Sequence, residues 1–427
     1  MPSPRSAPRI IRPLRDFLAA ESAGAILLSI GAIAALVWAN SPWSAAYGSL
    51  LHTDAGLAVG SWNFSLDLHG WVNDGLMALF FLVVGLEIKR ELVEGELASL
   101  RQAALPAVAA LGGMVVPALL FVAITAGQRG SGAWGIPMAT DIALALGVVT
   151  VLGDRVPSAA KIFLLALAIV DDLGAIVVIA VVYSSGVRFA YLAGAAVCVL
   201  AVVALGRWRP AFTLGFVVIG VVLWWFVHEA GLHATLAGVI MGFLTPTAPR
   251  VPEDLIDEEI LADVSDISAA QETIDMARAS VSRVEWLEHV LHPWTSLVIV
   301  PIFAFANAGL VLDGDAFGRL FDSRIALGVL VGLVVGKPLG IVGAVWLGRR
   351  AGLQLPEGMT MRTVAGLSVV AGIGFTVSIF VADLALSDPH DAESAKLAVM
   401  GASLIAAGAG ALVLRSRATA RSEPAPR

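Results

Sequence analysis

The feature that most constrains this chain is a succession of almost uncharged apolar runs, each about twenty residues long and separated by short polar breaks. A run of that length crosses the ~30 Å hydrocarbon core of a bilayer as a helix, and it is about twice what a barrel strand needs. Inside hydrocarbon every backbone N–H and C=O must be satisfied within the segment, which leaves helices as the reading. With 58% hydrophobic and 14% charged residues among 427, and a mean hydropathy of +0.85, the chain lies far from a soluble average of about half apolar and a quarter charged. The expected fold class is an all-α polytopic membrane protein. A net charge of −7 and a pI near 5.5 provide no basic surface for nucleic acid. One cysteine, Cys198, excludes an intrachain disulfide and a cysteine metal cluster.

A window of about nineteen residues predicts about twelve transmembrane helices. They begin near Phe17, Val72, Ala104, Ala133, Ile162, Phe189, Phe212, His233, Leu291, Ile325, Val364 and Leu397. The run from His233 to Leu244 is short for a bilayer. Arg5, Arg9, Arg12 and Arg15 precede the first run, which is longer than a cleavable signal core and reads as a retained span. Twelve crossings place both termini on one side. Of the 27 Lys and Arg, 21 then fall with the termini, five fall opposite and Lys337 lies within a span, so the termini are expected in the cytoplasm. Asn40 to His69 carries no Lys or Arg, as an external loop should, and GLAVGSWNFSLDLH alternates like a small β-hairpin. Between Leu244 and Leu291, eleven Asp or Glu stand against three arginines; this acidic stretch, 245–290, reads as a solvated cytoplasmic loop that turns helical from Ile267. One transmembrane domain is expected over residues 1–414, followed by a disordered cytoplasmic tail over 415–427.

Ionisable groups at the centre of a span cost at least about 2.5 to 3.5 kcal/mol each, so each asks for a reason. Asp171 and Asp172 lie near the middle of the fifth run, Asp141 in the fourth and Lys337 in the tenth. Two adjacent carboxylates in a poorly solvated place do not both ionise easily, and they titrate as a pair. A hard cation favours oxygen ligands, so such a site can hold either that cation or protons. Neighbouring residues on a helix point about 100° apart, and Asp172 is taken as the primary ligand. A static ion-pair network is the bland alternative, but three carboxylates against one lysine leave negative charge that suits a mobile cation.

Glycine and proline mark where spans can break. Pro137 precedes Thr140 and Asp141 in GIPMATDIALALG, and AGIGFTVS sets Gly372, Gly374 and Thr376 at the centre of the eleventh run. Interrupted helices in corresponding positions of two halves expose backbone dipole ends at a transport site. Asp141 is placed to neutralise the positive ends and Lys337 the negative ends. Asp74, Glu87 and Glu91 lie near or within the second run; interface ion pairing and a cytoplasmic ion funnel are both open for Glu87 and Glu91. Asp383, late in the eleventh run, reads as an interfacial acid. His289 and His292, with Glu288 in LEHVLHP, titrate in the range of a pH sensor, and a zinc site fits less well because a fourth ligand is missing.

The segments NDGLMALFFLVVGLEIKREL, IPMATDIALALG, LALAIVDDLGAI, LHATLAGVIMGF, RVEWLEHVLHPW, PIFAFANAGL, GKPLGI and AGIGFTVSIF closely resemble NhaA-type sodium/proton antiporters, in family order and over nearly the whole chain. The resemblance implies inverted repeats, the third to fifth spans against the tenth to twelfth, with the fourth and eleventh crossing as broken helices. It implies that Asp171 and Asp172 carry sodium and protons, and that Asp141 and Lys337 compensate charge at the crossing, with Lys337 also able to pair with Asp171 and with Thr140 beside the site. Glu87, Glu91, Glu288, His289 and His292 match the family's cytoplasmic pH-responsive cluster, and the external hairpin near 51–69 its dimerisation element. The implied activity is pH-regulated, electrogenic exchange of sodium, and of lithium, for protons across a bacterial inner membrane, with no cofactor. Two features depart from the pattern: the long acidic loop and Asp383.

An intramembrane aspartyl protease is disfavoured because such enzymes set their aspartates on separate helices with a GxGD motif that this chain lacks. A sodium-coupled organic-anion symporter on a related fold is the runner-up, since Lys337 and helix N-termini could receive an anion. Because the acidic loop reads as lying outside the bundle, deleting Pro252–Ala277 should leave sodium-driven proton movement in vesicles within about twofold of the parent, with a displaced pH profile if the loop regulates. Complete inactivity of a well-inserted deletion would show the loop to be a required element.

Overall fold

The computed structural model describes residues 11–415, apart from 60–61, 185, 209–212, 248–280 and 313. Most of the acidic loop, including the helix expected from Ile267 to residue 280, and the tail from residue 416 lie outside the described residues. Seven helices are long and apolar enough to cross a membrane: Ser22–Ala39 (within Ile11–Ala39), Leu100–Thr125, Ser158–Val182, Phe189–Trp208, Arg283–Asn307, Arg324–Arg350 and Pro389–Arg415. Two bent pairs raise the number to nine, Arg129–Met138 with Ile142–Val151 at 41° and Met361–Val370 with Phe375–Ala385 at 51°. Thr213–Glu229, Thr235–Leu244 and Met77–Val93 supply helices at the remaining apolar runs. The chain is thus an all-α polytopic membrane protein; the first interruption falls at Gly135, Pro137 and Asp141 and the second at Gly372 and Gly374.

The described residues divide into two compact units. One comprises Met77–Ala98 and Ser184–Thr295. Within it the Met77–Val93 and Thr235–Leu244 helices approach until their backbones touch at glycines: a Cβ on Gly238 would collide with the Ala78 carbonyl, and one on Gly242 would stand 2.7 Å from the Leu82 carbonyl. Lys89 donates its ammonium to the carbonyls of Phe243 and Thr245, where the second helix ends, a cation on the negative end of a helix dipole.

The other unit comprises Met1–Leu76, Ser99–Tyr183 and Ser296–Arg427. It contains the hairpin, strands Asp54–Val59 and Trp62–Asp67 paired antiparallel from Asp54 opposite Asp67 to Val59 opposite Trp62. It also contains two series of the same kind in the same order. Leu100–Thr125, the first bent pair and Ser158–Val182 make one, and Arg324–Arg350, the second bent pair and Pro389–Arg415 make the other. Leu100–Thr125 packs on Lys337–Arg350 at Gly112 and Gly340, where a Cβ on either would strike the carbonyl of the other. Membrane helices have little hydrophobic drive toward one another and gain close van der Waals contact through such small residues.

That contact can be tested. Gly340→Val should force these helices apart at an overpacking cost of about 1–3 kcal/mol, visible as a melting temperature several degrees lower in detergent. Gly343→Val, on the same helix but with nothing within 4 Å of the added carbon, should leave it near the parent value, and equal melting of the two variants would refute the packing assignment.

Candidate functional site

In the first bent pair, Ile136–Met138 forms a short 3-10 turn, Ala139 and Asp141 are extended, and the α-helix resumes at Ile142. In the second, Met361–Val370 stops before Gly372 and the next helix starts at Phe375. The two breaks meet. The Asp141 amide donates to the Ile373 carbonyl at 2.7 Å and the Thr140 hydroxyl to the Ala371 carbonyl at 3.0 Å, so carbonyls freed at the end of one helix are satisfied by the other break. Glycine suits this packing: a Cβ on Gly374 would lie a tight 3.1 Å from the Ala139 carbonyl, and one on Gly372 would press the Leu333 carbonyl of the Arg324–Arg350 helix at 2.6 Å.

Asp141 stands between two helix N-termini. Its Oδ1 accepts from the Leu144 amide at 2.9 Å, capping Ile142–Val151. Its Oδ2 accepts from the Thr376 amide at 3.0 Å and the Thr376 hydroxyl at 2.7 Å, in the first turn of Phe375–Ala385. One buried carboxylate therefore receives donors from both positive dipole ends.

Lys337 is fully buried. A π-turn over Gly332–Gly336 immediately precedes it, a local widening that re-aims side chains and often marks functional positions. Its ammonium donates to the Met138 carbonyl and lies 2.7 Å from Asp171 Oδ2. Asp171 Oδ1, beside Thr140, is buried and takes no hydrogen bond of ordinary geometry among the described residues. Asp172 follows on the same helix, also buried and near enough to Lys337 to feel its charge. Asp141, Asp171, Asp172, Lys337, Thr140 and Thr376 thus share one buried region, with three carboxylates to one ammonium. Full ionisation there is opposed by desolvation and like charge, an excess of the kind that protons or a hard cation among oxygens can relieve.

The other unit assembles a second charged group. Arg90 donates to Glu288 and lies 3.4 Å from Glu91 Oε1. Glu91 Oε2 accepts from the Glu96 amide at 3.0 Å, and His292 Nε2 is 3.8 Å from Glu87 Oε1. Glu288 and His292 are buried, whereas His289 is exposed. Four of the five residues expected there gather around Arg90 and His289 does not, because on the Arg283–Trp294 helix residues 288 and 292 are one turn apart while 289 is rotated about 100° away.

Several participants were not singled out from sequence. The Tyr183 hydroxyl accepts from the Gly135 amide at 2.8 Å and donates to the Gly132 carbonyl, and the Ser378 hydroxyl donates to the Ile136 carbonyl at 2.7 Å. Both secure backbone groups of the first bent pair. Ser378 lies two residues after Thr376, and a search for polar residues flanking the Gly372–Gly374 break would have found it. Tyr183 carries no local signal, since its partners are about fifty residues away. Asp383 pairs with Lys396 at 2.6 Å.

The match to known proteins is extensive. Residues 15–414 fit the family model described as Na+/H+ antiporter 1. A protein of Sorangium cellulosum named Na(+)/H(+) antiporter NhaA 2 is 45% identical, covering 97% of this chain and 93% of its own. Proteins named Na(+)/H(+) antiporter NhaA from Helicobacter pylori and Oleidesulfovibrio alaskensis are 43% and 41% identical, covering 95% and 97% of this chain and 93% and 96% of theirs. On that coverage, with two interrupted helices meeting around buried aspartates, the chain belongs to the Na+/H+ antiporter 1 family.

Proposed function

We propose that this protein exchanges sodium, and lithium, for protons across the bacterial inner membrane, the cation and the protons competing for Asp171 and Asp172. The observation that carries the reading is the imbalance at the crossing, where three buried carboxylates face one ammonium. Asp141 has its oxygens committed to two helix N-termini, so the exchangeable charge falls to the aspartate pair. With protons bound, the pair is close to neutral and tolerates its surroundings. As protons leave, the carboxylates become ligands for a hard cation, and Lys337 holds Asp171 in the meantime. Release of more than one proton for each sodium moves net charge, which makes the cycle electrogenic.

The names of the relatives support sodium and protons as the ions, and the charge asymmetry of the loops supports cytoplasmic termini. Glu87, Arg90, Glu91, Glu288 and His292 supply a titratable cluster suited to regulation by internal pH, with exposed His289 at its margin. The hairpin near 51–69, two short antiparallel strands, suits contact with a second copy in a homodimer. An organic-anion symporter is less well supported, because the Lys337 ammonium is engaged by Met138 and Asp171.

Asp171→Asn and Asp172→Asn should each reduce sodium-driven proton efflux from everted vesicles to the background of empty membranes while the protein still inserts. Asp172→Asn removes a buried charge, whereas Asp171→Asn leaves buried Lys337 without its ion partner and should also lower the melting temperature. Parent-like exchange in both would remove the pair from the mechanism.

Competition also sets a sign for pH. While the site is protonated, sodium must displace a proton, so apparent sodium affinity should rise about tenfold, or about 1.4 kcal/mol, per pH unit for one proton displaced. Two protons steepen the slope, and above the effective pKa the affinity levels off. Calorimetry on purified protein across a pH series, in buffers of different ionisation enthalpy, should show this slope with matching proton release. A pH-independent affinity without proton release would refute competition.

A further inference from the structure

The Phe375–Ala385 helix begins at the crossing, where Thr376 donates to Asp141, and carries near its other end an acid that the crossing does not use. Asp383 lies seven residues beyond Thr376, two turns or about 10 Å along the same face. Its Oδ1 is 2.6 Å from Lys396 Nζ on the Pro389–Arg415 helix. Its Oδ2 is buried and makes no hydrogen bond among the described residues.

His69 stands in the same electrostatic neighbourhood, close enough to feel both Asp383 and Lys396. Its Nε2 is 3.0 Å from Asn307 Oδ1. The Asn307 amide nitrogen donates to the Phe303 carbonyl at 3.0 Å and to Asn73 Oδ1 at 2.9 Å. Asn307 Oδ1 is therefore an acceptor, His69 presents Nε2–H, and a lone pair remains on Nδ1. Asn73 Nδ2 lies 3.4 Å from that nitrogen, 3.3 Å from Nε2 and 3.3 Å from Asn307 Oδ1, so a proton added on Nδ1 displaces this amide from the lone pair. The groups facing the imidazole come from every neighbouring element. They are Asp383 and Lys396 from two helices, Asp67 from the second strand, and His52, whose ring centre is 6.4 Å away and which bonds Asp67 at 2.9 Å. Asp74 follows on the same segment. Phe303 meets Phe380 with ring centres 6.3 Å apart, so the helix bearing Asn307 packs on the helix bearing Asp383.

We propose that His69 is a second proton-binding site, on the external side and separate from the aspartate pair, whose occupancy weakens the Asp383–Lys396 ion pair. Burial holds the imidazole below its ordinary range, so it is neutral near neutral pH and gains its proton, on Nδ1, only as the external medium turns acidic. The added positive charge repels Lys396 and offers Asp383 a rival partner. The end of the helix that carries Thr376 at its start is then held less firmly, and external acid slows exchange beyond what competition at the aspartates causes. The transport consequence rests on the antiport reading above, but the proton site does not.

The test therefore has two arms. Protein with 15N-labelled histidine is titrated by NMR, with the His69 resonance identified by its loss in His69→Gln. The midpoint should lie below about 6.5, move toward acid by about half a unit in Asp383→Asn, and move toward alkali by a similar amount in Lys396→Met. A midpoint unmoved by either change, or at the ordinary histidine value, overturns the site. In proteoliposomes held at one internal pH, acidifying the outside through that midpoint should slow the parent about twofold more than His69→Gln. Identical external profiles overturn the coupling, whereas absence of sodium-driven proton movement in the parent refutes the antiport reading and leaves the NMR result standing.

Discussion

A carboxylate shared between two helix N-termini is the interaction on which the membrane interior of this protein depends. An interrupted helix leaves amides and carbonyls without partners, and in hydrocarbon each costs several kcal/mol. Two interruptions placed against each other reduce that cost if the freed groups are complementary. Here the carbonyls of Ala371 and Ile373 take donors from Thr140 and Asp141, and the amides of Leu144 and Thr376 find the Asp141 carboxylate. The breaks thereby become a stable feature, and their satisfaction by a charged group brings charge into the buried interior.

Bringing one carboxylate there changes what else the region can hold. Asp141 accepts three hydrogen bonds at two helix N-termini, whereas Asp171 is held by the Lys337 ammonium with Thr140 beside it. Lys337 in turn needs the Met138 carbonyl as well as Asp171, and the π-turn that precedes it widens the helix at that point. A buried pair in which one partner is shared is costly to break and costly to leave unscreened. Such a pair responds strongly to any third charge, and Asp172 beside it would be one when ionised.

Much of this architecture was legible because the bilayer simplifies the code. Length and hydropathy located twelve helical runs, the Lys-free and Arg-free stretch with alternating residues became the Asp54–Val59 and Trp62–Asp67 hairpin, and Gly372, Gly374 and Pro137 marked both breaks. Partnership across the chain was far less visible. Nothing near Asp141 indicates a hydroxyl 235 residues away, and nothing near Lys337 indicates the Met138 carbonyl. Where local periodicity did hold the answer, it concerned faces: Glu288 and His292 are one turn apart and His289 is not. For that cluster, spacing in sequence misleads and rotation about the helix decides.

The division between fully and partly satisfied carboxylates gives a reason why two buried aspartates in one bundle could take different parts. A carboxylate that already accepts from two helix ends gains little from a proton or a cation and loses several hydrogen bonds in taking one, so Asp141 is suited to hold the breaks together. Asp171, with Oδ1 buried beside Thr140 and taking no hydrogen bond of ordinary geometry among the described residues, would gain from either. Exchange requires groups for which two occupants are nearly equal in free energy, and that near-equality is reached only where the protein leaves ligation incomplete. On the exchange proposed above, structural and exchanging roles would separate by how much of each carboxylate's demand the backbone has met.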